Sequence, residues 1–140
     1  MNEVFRTFHR VRFGECDHAG IVFYPRYGEM SHAVIEAWMR EGLECDMPTI
    51  LERYGVVHPL VRLEMEFLRP SRYNELLEFS LQVLHLGHTS LTVRIDARCN
   101  DEERVRETAL RLTSRRLFAG MPGAQATARQ RRRDRNGRCK

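Results

Sequence analysis

The sequence predicts an α+β domain in which one antiparallel sheet wraps around one long helix. Apolar residues recur at helical spacing between Pro25 and Gly42. From Leu60 onward the apolar period changes to two. The segments with that period are joined by connections too short for parallel crossovers, so consecutive strands must pair antiparallel. Each strand then has one apolar face and the helix one apolar stripe, and burying them together gives a sheet around a helix.

Each element follows from its residues. Residues 4–13 (VFRTFHRVRF) read as a first strand, with Val11 and Phe13 alternating with arginines. Gly14–Gly20 reads as a loop or turn. Tyr27, Met30, Val34, Ala37, Trp38 and Glu41 lie on one helical arc, only the last of them polar; Glu29, His32, Glu36 and Arg40 occupy the opposite arc. This predicts an amphipathic helix from near Pro25 to Gly42, with Met30 and Trp38 in the core. A short second helix is expected over residues 47–54, stopped by Gly55.

The strands come next. Val61, Leu63, Met65 and Phe67 alternate with Arg62, Glu64 and Glu66 in a strand over 60–68. Leu77, Phe79, Leu81 and Val83 define a strand over 75–84, and Leu91, Val93, Ile95 and Ala97 one over 90–98. A turn at 100–103 leads to a weaker strand over 105–118. Residues 119–140 break every pattern and are expected to form a disordered basic tail behind a single domain of residues 1–118.

Composition narrows the function classes. The 140 residues carry a formal charge of +4, but seven of the basic residues and one acid fall in residues 129–140. The remaining body holds 16 arginines against 18 acids and is mildly acidic. The tail lacks interleaved aromatics for base stacking, so nucleic acid is not the expected partner. No apolar run approaches the roughly 20 residues of a membrane helix, and the start of the chain has no secretory apolar core, which predicts a cytoplasmic protein. Cys16, Cys45, Cys99 and Cys139 show no metal-binding spacing and read as reduced thiols. The carboxylate beside Cys16 argues against a nucleophilic role for that thiol.

The chemistry is concentrated in Phe13–Tyr27, FGECDHAGIVFYPRY. Asp17 sits in a polar turn that leads into an aromatic run and a helix. By spacing alone it is either a turn or cap carboxylate or a base facing an apolar site. The helix start can offer backbone N–H groups to developing negative charge. Gly20 fits a tight turn through its tolerance of positive φ. Glu15 reads as a solvated or ion-paired turn residue.

The stretch Asp17, Ala19, Gly20, Ile21, Val22, Tyr24 and Pro25, with the helix and four strands after it, resembles the 4-hydroxybenzoyl-CoA thioesterase family of hotdog-fold enzymes. The likeness spans about residues 8–118, and HPLVRLEMEFLRPSRYNE supports it. It implies a hotdog fold, a homodimer or homotetramer with sites at the protomer interface, and an acyl-CoA substrate. No cofactor is implied beyond the coenzyme A of that substrate. Asp17 would be the nucleophile or general base, and the Tyr24 backbone N–H would polarise the thioester oxygen. Gly20 would let the chain pass close to the substrate. His32 and His58 are candidates for contact with the acyl group. His88, in the turn Leu86–Thr89, stands where the family grips the CoA phosphates, but as one base instead of a cluster; Arg69, Arg72 or Arg94 are alternative cations. Acyl-carrier-protein thioesters, or acyl and partner binding without turnover by a module tethered through its basic tail, are the rival readings.

Overall fold

The computed structural model describes residues 3–55 and 58–112. The expected end of the last strand, the tail and Cys139 lie outside them. Strand β1 spans Phe5–Arg10, helix α1 Pro25–Ala37, helix α2 Met47–Tyr54, and strands β2 to β5 Leu60–Phe67, Leu76–Leu86, Ser90–Cys99 and Glu102–Leu112. A five-residue π-helical turn, Trp38–Gly42, continues α1. The strands form one antiparallel sheet in the order β1-β3-β4-β5-β2. The α+β class and the sheet-plus-long-helix layout are those expected.

Period-two burial holds where the sequence placed it. Leu77, Phe79, Leu81 and Val83 of β3, and Leu91, Val93, Ile95 and Ala97 of β4, are all buried. They share one core with Tyr27, Met30, Val34, Ile35 and Trp38 of the long helix. Asn100 and Asp101 both adopt left-handed backbone, with φ of 49° and 65°. Paired left-handed residues make the tight two-residue turn that suits antiparallel strands. Cys99 therefore pairs directly with Glu102, and β5 begins three residues before the expected Val105.

Two other expectations shift. The first strand stops at Arg10, and Phe13 sits 80% exposed in a single 3-10 turn, Phe13–Glu15. There its ring meets the edge of Tyr73 at 5.9 Å. On the helix, Glu41 leaves the buried stripe and pairs with Arg40, while Met39 is buried. The π turn is the cause: Leu43 N–H reaches Trp38 O at 3.0 Å, a five-residue spacing that advances the phase of every later side chain. Gly42 is required there, because a Cβ would fall 2.8 Å from Trp38 Cδ1.

Strand β2 departs most from a buried element. Val61, Leu63 and Phe67 are 50%, 42% and 50% exposed although they carry its apolar phase. Among the described residues it is an edge strand, paired only with β5. Cys16, Cys45 and Cys99 are free thiols. Among the described residues, no group of His, Cys, Asp or Glu could hold a metal ion, and no helix is long and apolar enough to cross a membrane.

Candidate active site

The segment between β1 and α1 folds into a small hairpin. Cys16 and Val22 form an antiparallel bridge, and Asp17 N–H donates to Ile21 O at 2.9 Å. At its tip Gly20 N–H donates to Asp17 O at 3.0 Å, closing a four-residue turn. Gly20 has φ +77°, a left-handed conformation that β-carbon sterics disfavour in other residues. The Asp17 carboxylate caps its own turn: Oδ1 accepts from Ala19 N–H at 2.8 Å. Its other oxygen, Oδ2, has no hydrogen-bond partner among the described residues. The side chain is thus half-buried, fixed through one oxygen and available through the other.

Both sides of the hairpin are anchored. Before it, Glu15 accepts from Arg12 N–H at 2.7 Å and lies 2.9 Å from His9 Nε2. Burial pushes the Glu15 carboxyl up, but the Arg12 amide and His9 outweigh it, and the net direction is down. Glu15, expected to be a solvated or ion-paired turn residue, is here partly buried and tied to Arg12 and His9. After it, Val22 N–H donates to Ser71 O at 2.8 Å and Ile21 bridges to Arg72. The segment 68–75 is held in turn by buried Arg104, whose guanidinium binds Pro70 O and the Glu75 carboxylate and whose carbonyl accepts from Leu68 N–H. Tyr27 of α1 closes the circuit by donating to the fully buried Ser71 hydroxyl at 2.9 Å.

Helix α1 starts directly after the hairpin, with Pro25 as its first residue. Proline has no N–H, so it is tolerated there and the donors nearest the helix start come from Tyr24, Arg26 and Tyr27. Arg26 N–H bonds Phe23 O and Tyr27 N–H bonds Tyr24 O. The Tyr24 N–H has no acceptor among the described residues. The Tyr24 ring is exposed and meets Phe67 of β2 at 6.1 Å; Tyr27 meets the same ring at 5.8 Å. A free carboxylate oxygen and a free N–H therefore flank one short segment beside an aromatic wall. That pairing suits attack on a carbonyl with stabilisation of its oxygen. Burial, then the charges of Glu15 and Asp17, raise the Cys16 thiol's pKa, which opposes a thiolate nucleophile.

The three candidate histidines lie on other elements than the hairpin. His32 is exposed on α1 and lies 3.2 Å from Glu36 along the helix. His58 precedes β2, half-buried, its pKa lowered by burial and then by Arg111. His88 sits in the β3–β4 turn. Strand β3 begins next to the 68–75 segment and runs 11 residues to that turn, so His88 and the hairpin are on the order of 30 Å apart in one protomer. Ser71 and Arg104, which hold the hairpin, gave no signal in the sequence, and Tyr27 was legible only as a core residue of the helix. Glu107 did: it falls in phase with Val105 and Ala109, a charge on the apolar side of a strand, and it is buried.

A profile of the thioesterase superfamily matches residues 17–106. The 1,4-dihydroxy-2-naphthoyl-CoA hydrolase of Synechococcus elongatus is 32% identical over 104 residues, covering 73% of this chain and 74% of its own. The 4-hydroxybenzoyl-CoA thioesterase of Pseudomonas sp. strain CBS-3 is 34% identical over 73 residues, 49% of each chain. The solved structure of the Pseudomonas enzyme superimposes with a TM-score of 0.73 at 21% identity, covering 78% of this chain and 83% of that one. The hotdog fold is thereby established. With a family match that begins at Asp17 itself, the chain belongs to the thioesterase superfamily and is a thioester hydrolase.

Proposed function

We propose that this protein hydrolyses an aryl- or short-chain acyl-CoA thioester, with Asp17 as nucleophile or general base and the Tyr24 backbone N–H as oxyanion donor. One observation carries the reading: the hairpin fixes Asp17 through Oδ1 alone and passes straight into a helix start whose Tyr24 N–H is unpartnered. A thioester has little resonance stabilisation and a good leaving group. As nucleophile, Asp17 adds to the carbonyl carbon, and the collapsing adduct expels the CoA thiolate and leaves an acyl anhydride that water hydrolyses. As base, it takes the proton of the attacking water. In both routes negative charge gathers on the thioester oxygen, where one donor contributes about 2.7–4 kcal/mol.

Aryl acyl groups are favoured by the wall of Tyr24, Tyr27 and Phe67 and by the two curated relatives, which act on aromatic acyl-CoA thioesters by name. Gly20 allows close passage of the substrate, and His32 and His58 contact the acyl group. The working unit is a homo-oligomer. Leu60, Val61, Leu63 and Phe67 leave apolar surface exposed on an unpaired sheet edge, the arrangement that a second copy covers. In that assembly His88 of one copy serves the CoA phosphates of another copy's site, since within one chain β3 separates it from Asp17.

The test is thiol release from a panel of benzoyl-, hydroxybenzoyl- and short-chain acyl-CoAs and from acyl-carrier-protein thioesters. The reading expects turnover of CoA thioesters with the highest kcat/KM on an aryl member. Turnover of carrier-protein thioesters alone would reassign the substrate, and no thiol release from any of them would end the proposal.

A further inference from the structure

Glu15 makes more bonds than a turn residue needs, and the catalytic proposal uses none of them. It closes the 3-10 turn Phe13–Glu15. Its carboxylate accepts the Arg12 N–H at 2.7 Å through Oε2, and its two oxygens lie 3.0 and 2.9 Å from His9 Nε2. His9 belongs to β1 and stands opposite Leu77 of β3, so the carboxylate is tied to the sheet. The two side chains are only 22% and 17% exposed. The lowered pKa of Glu15 keeps it ionised at neutral pH, and hydrogen bonds to an ionised acceptor are about twice as strong as neutral ones.

The backbone of Glu15 reaches the other arm of the hairpin. Phe23 N–H donates to Glu15 O at 2.9 Å, and with the bond from Asp17 N–H to Ile21 O it flanks the Cys16–Val22 bridge. The Phe23 carbonyl accepts from Arg26 N–H at 2.9 Å. Phe23 is therefore held at both its N–H and its C=O. The peptide unit is planar and trans, so a fixed Phe23 C=O also fixes the Tyr24 N–H, which points the opposite way. On the first arm, Asp17 lies two residues beyond Glu15. One residue thus bears on both reacting groups, and its side chain ties them to β1.

We propose that Glu15 is a positioning residue: held to β1 by His9, it sets the Asp17 carboxylate and the Tyr24 N–H at the separation that a thioester carbonyl requires. This role rests on the thioesterase reading and adds to it a support that touches no substrate atom. The carbonyl must meet the carboxylate, or the water it activates, at carbon and the N–H at oxygen together. An error in their separation weakens both contacts as the transition state forms, and a misplacement of about 1 Å can cost on the order of 10² in rate. The loss falls on kcat, because ground-state binding does not depend on that separation.

The experiment measures kcat and KM on the best acyl-CoA substrate for the wild type, Glu15→Ala, Glu15→Gln, His9→Leu and the double variant of Glu15→Ala with His9→Leu, with thermal unfolding to verify folding at the assay temperature. Glu15→Ala should lose about 10–10² in kcat with KM little changed. Glu15→Gln keeps an oxygen for Arg12 N–H and His9, and should restore most of the rate. His9→Leu should lower kcat in the same direction, and the double variant should match Glu15→Ala, because the two side chains act through one contact. A merely structural role would lower Tm and leave the kcat of folded enzyme unchanged. That result in Glu15→Ala, or in His9→Leu should Glu15→Ala not fold, overturns the role of Glu15, as does a loss confined to KM or losses that multiply in the double variant. Each of these leaves thioester hydrolysis standing. No thiol release by the wild type from any thioester overturns both.

Discussion

The Tyr27 hydroxyl donates a 2.9 Å hydrogen bond to the Ser71 hydroxyl, and both groups are buried. That bond joins the first turn of α1 to the segment whose backbone holds Val22. The helix start and the hairpin bearing Asp17 are thus set against each other by a contact in which no hairpin residue takes part. Tyr27→Phe removes the donor at a site with no solvent to replace it. The expected loss is about 1–2 kcal/mol in urea unfolding, with kcat falling more than KM changes because the reacting groups lose their alignment.

Gly20 and Gly28 give opposite signs for the same substitution. No atom lies within 4 Å of a Cβ built at either position, so neither alanine clashes. Gly20 is left-handed at φ +77°, and Gly20→Ala should destabilise by about 1–2 kcal/mol. Gly28 lies inside α1, and Gly28→Ala should stabilise by about 0.5–1 kcal/mol. Denaturant midpoints for the two variants, measured side by side, check both signs.

The pH dependence of stability should carry the mark of Glu107. Burial raises its pKa above the ordinary 4.5, against the opposing pull of Ser31 and Arg111. Between the unfolded and folded values the native state binds more protons than the unfolded one, so stability falls as pH rises through that window. Glu107→Gln removes this loss. Its stability relative to wild type should therefore increase as pH is raised above about 4.5. Glu15 has the reverse sign: its lowered pKa contributes stability that is present above 4.5 and lost as the pH falls through the folded value. Urea titrations across the acid and neutral range separate the two, since Glu107→Gln alters only the upper limb.

Much of this architecture was legible in the sequence because burial in a sheet has a period of two. Leu77 to Val83 and Leu91 to Ala97 repeat that period without interruption, and all are buried. The same rule says which residues share a face but not whether anything covers it; Val61 and Leu63 keep the alternation and stay exposed on an edge strand. The helix was legible to Trp38, and then the π turn changed its phase and put Met39 in the core in place of Glu41. At the site, the Asp17–Pro25 motif gave a turn and the helix start, while the closing of that turn into a hairpin by the Cys16–Val22 bridge was not read. The supports of the hairpin were not readable, because Ser71 and Arg104 act through contacts made far along the chain. Glu107 was readable as a charge standing in the apolar phase of its strand.

The central claim is that Asp17 carries out the reaction. Asp17→Asn keeps the size of the side chain and an oxygen for the Ala19 N–H, so the hairpin should survive. The decisive measurement is kcat/KM of this variant against wild type on the best aryl-CoA substrate. A loss of about 10²–10⁴ is expected for removal of the base or nucleophile; wild-type kcat/KM in a folded Asp17→Asn protein would contradict the account.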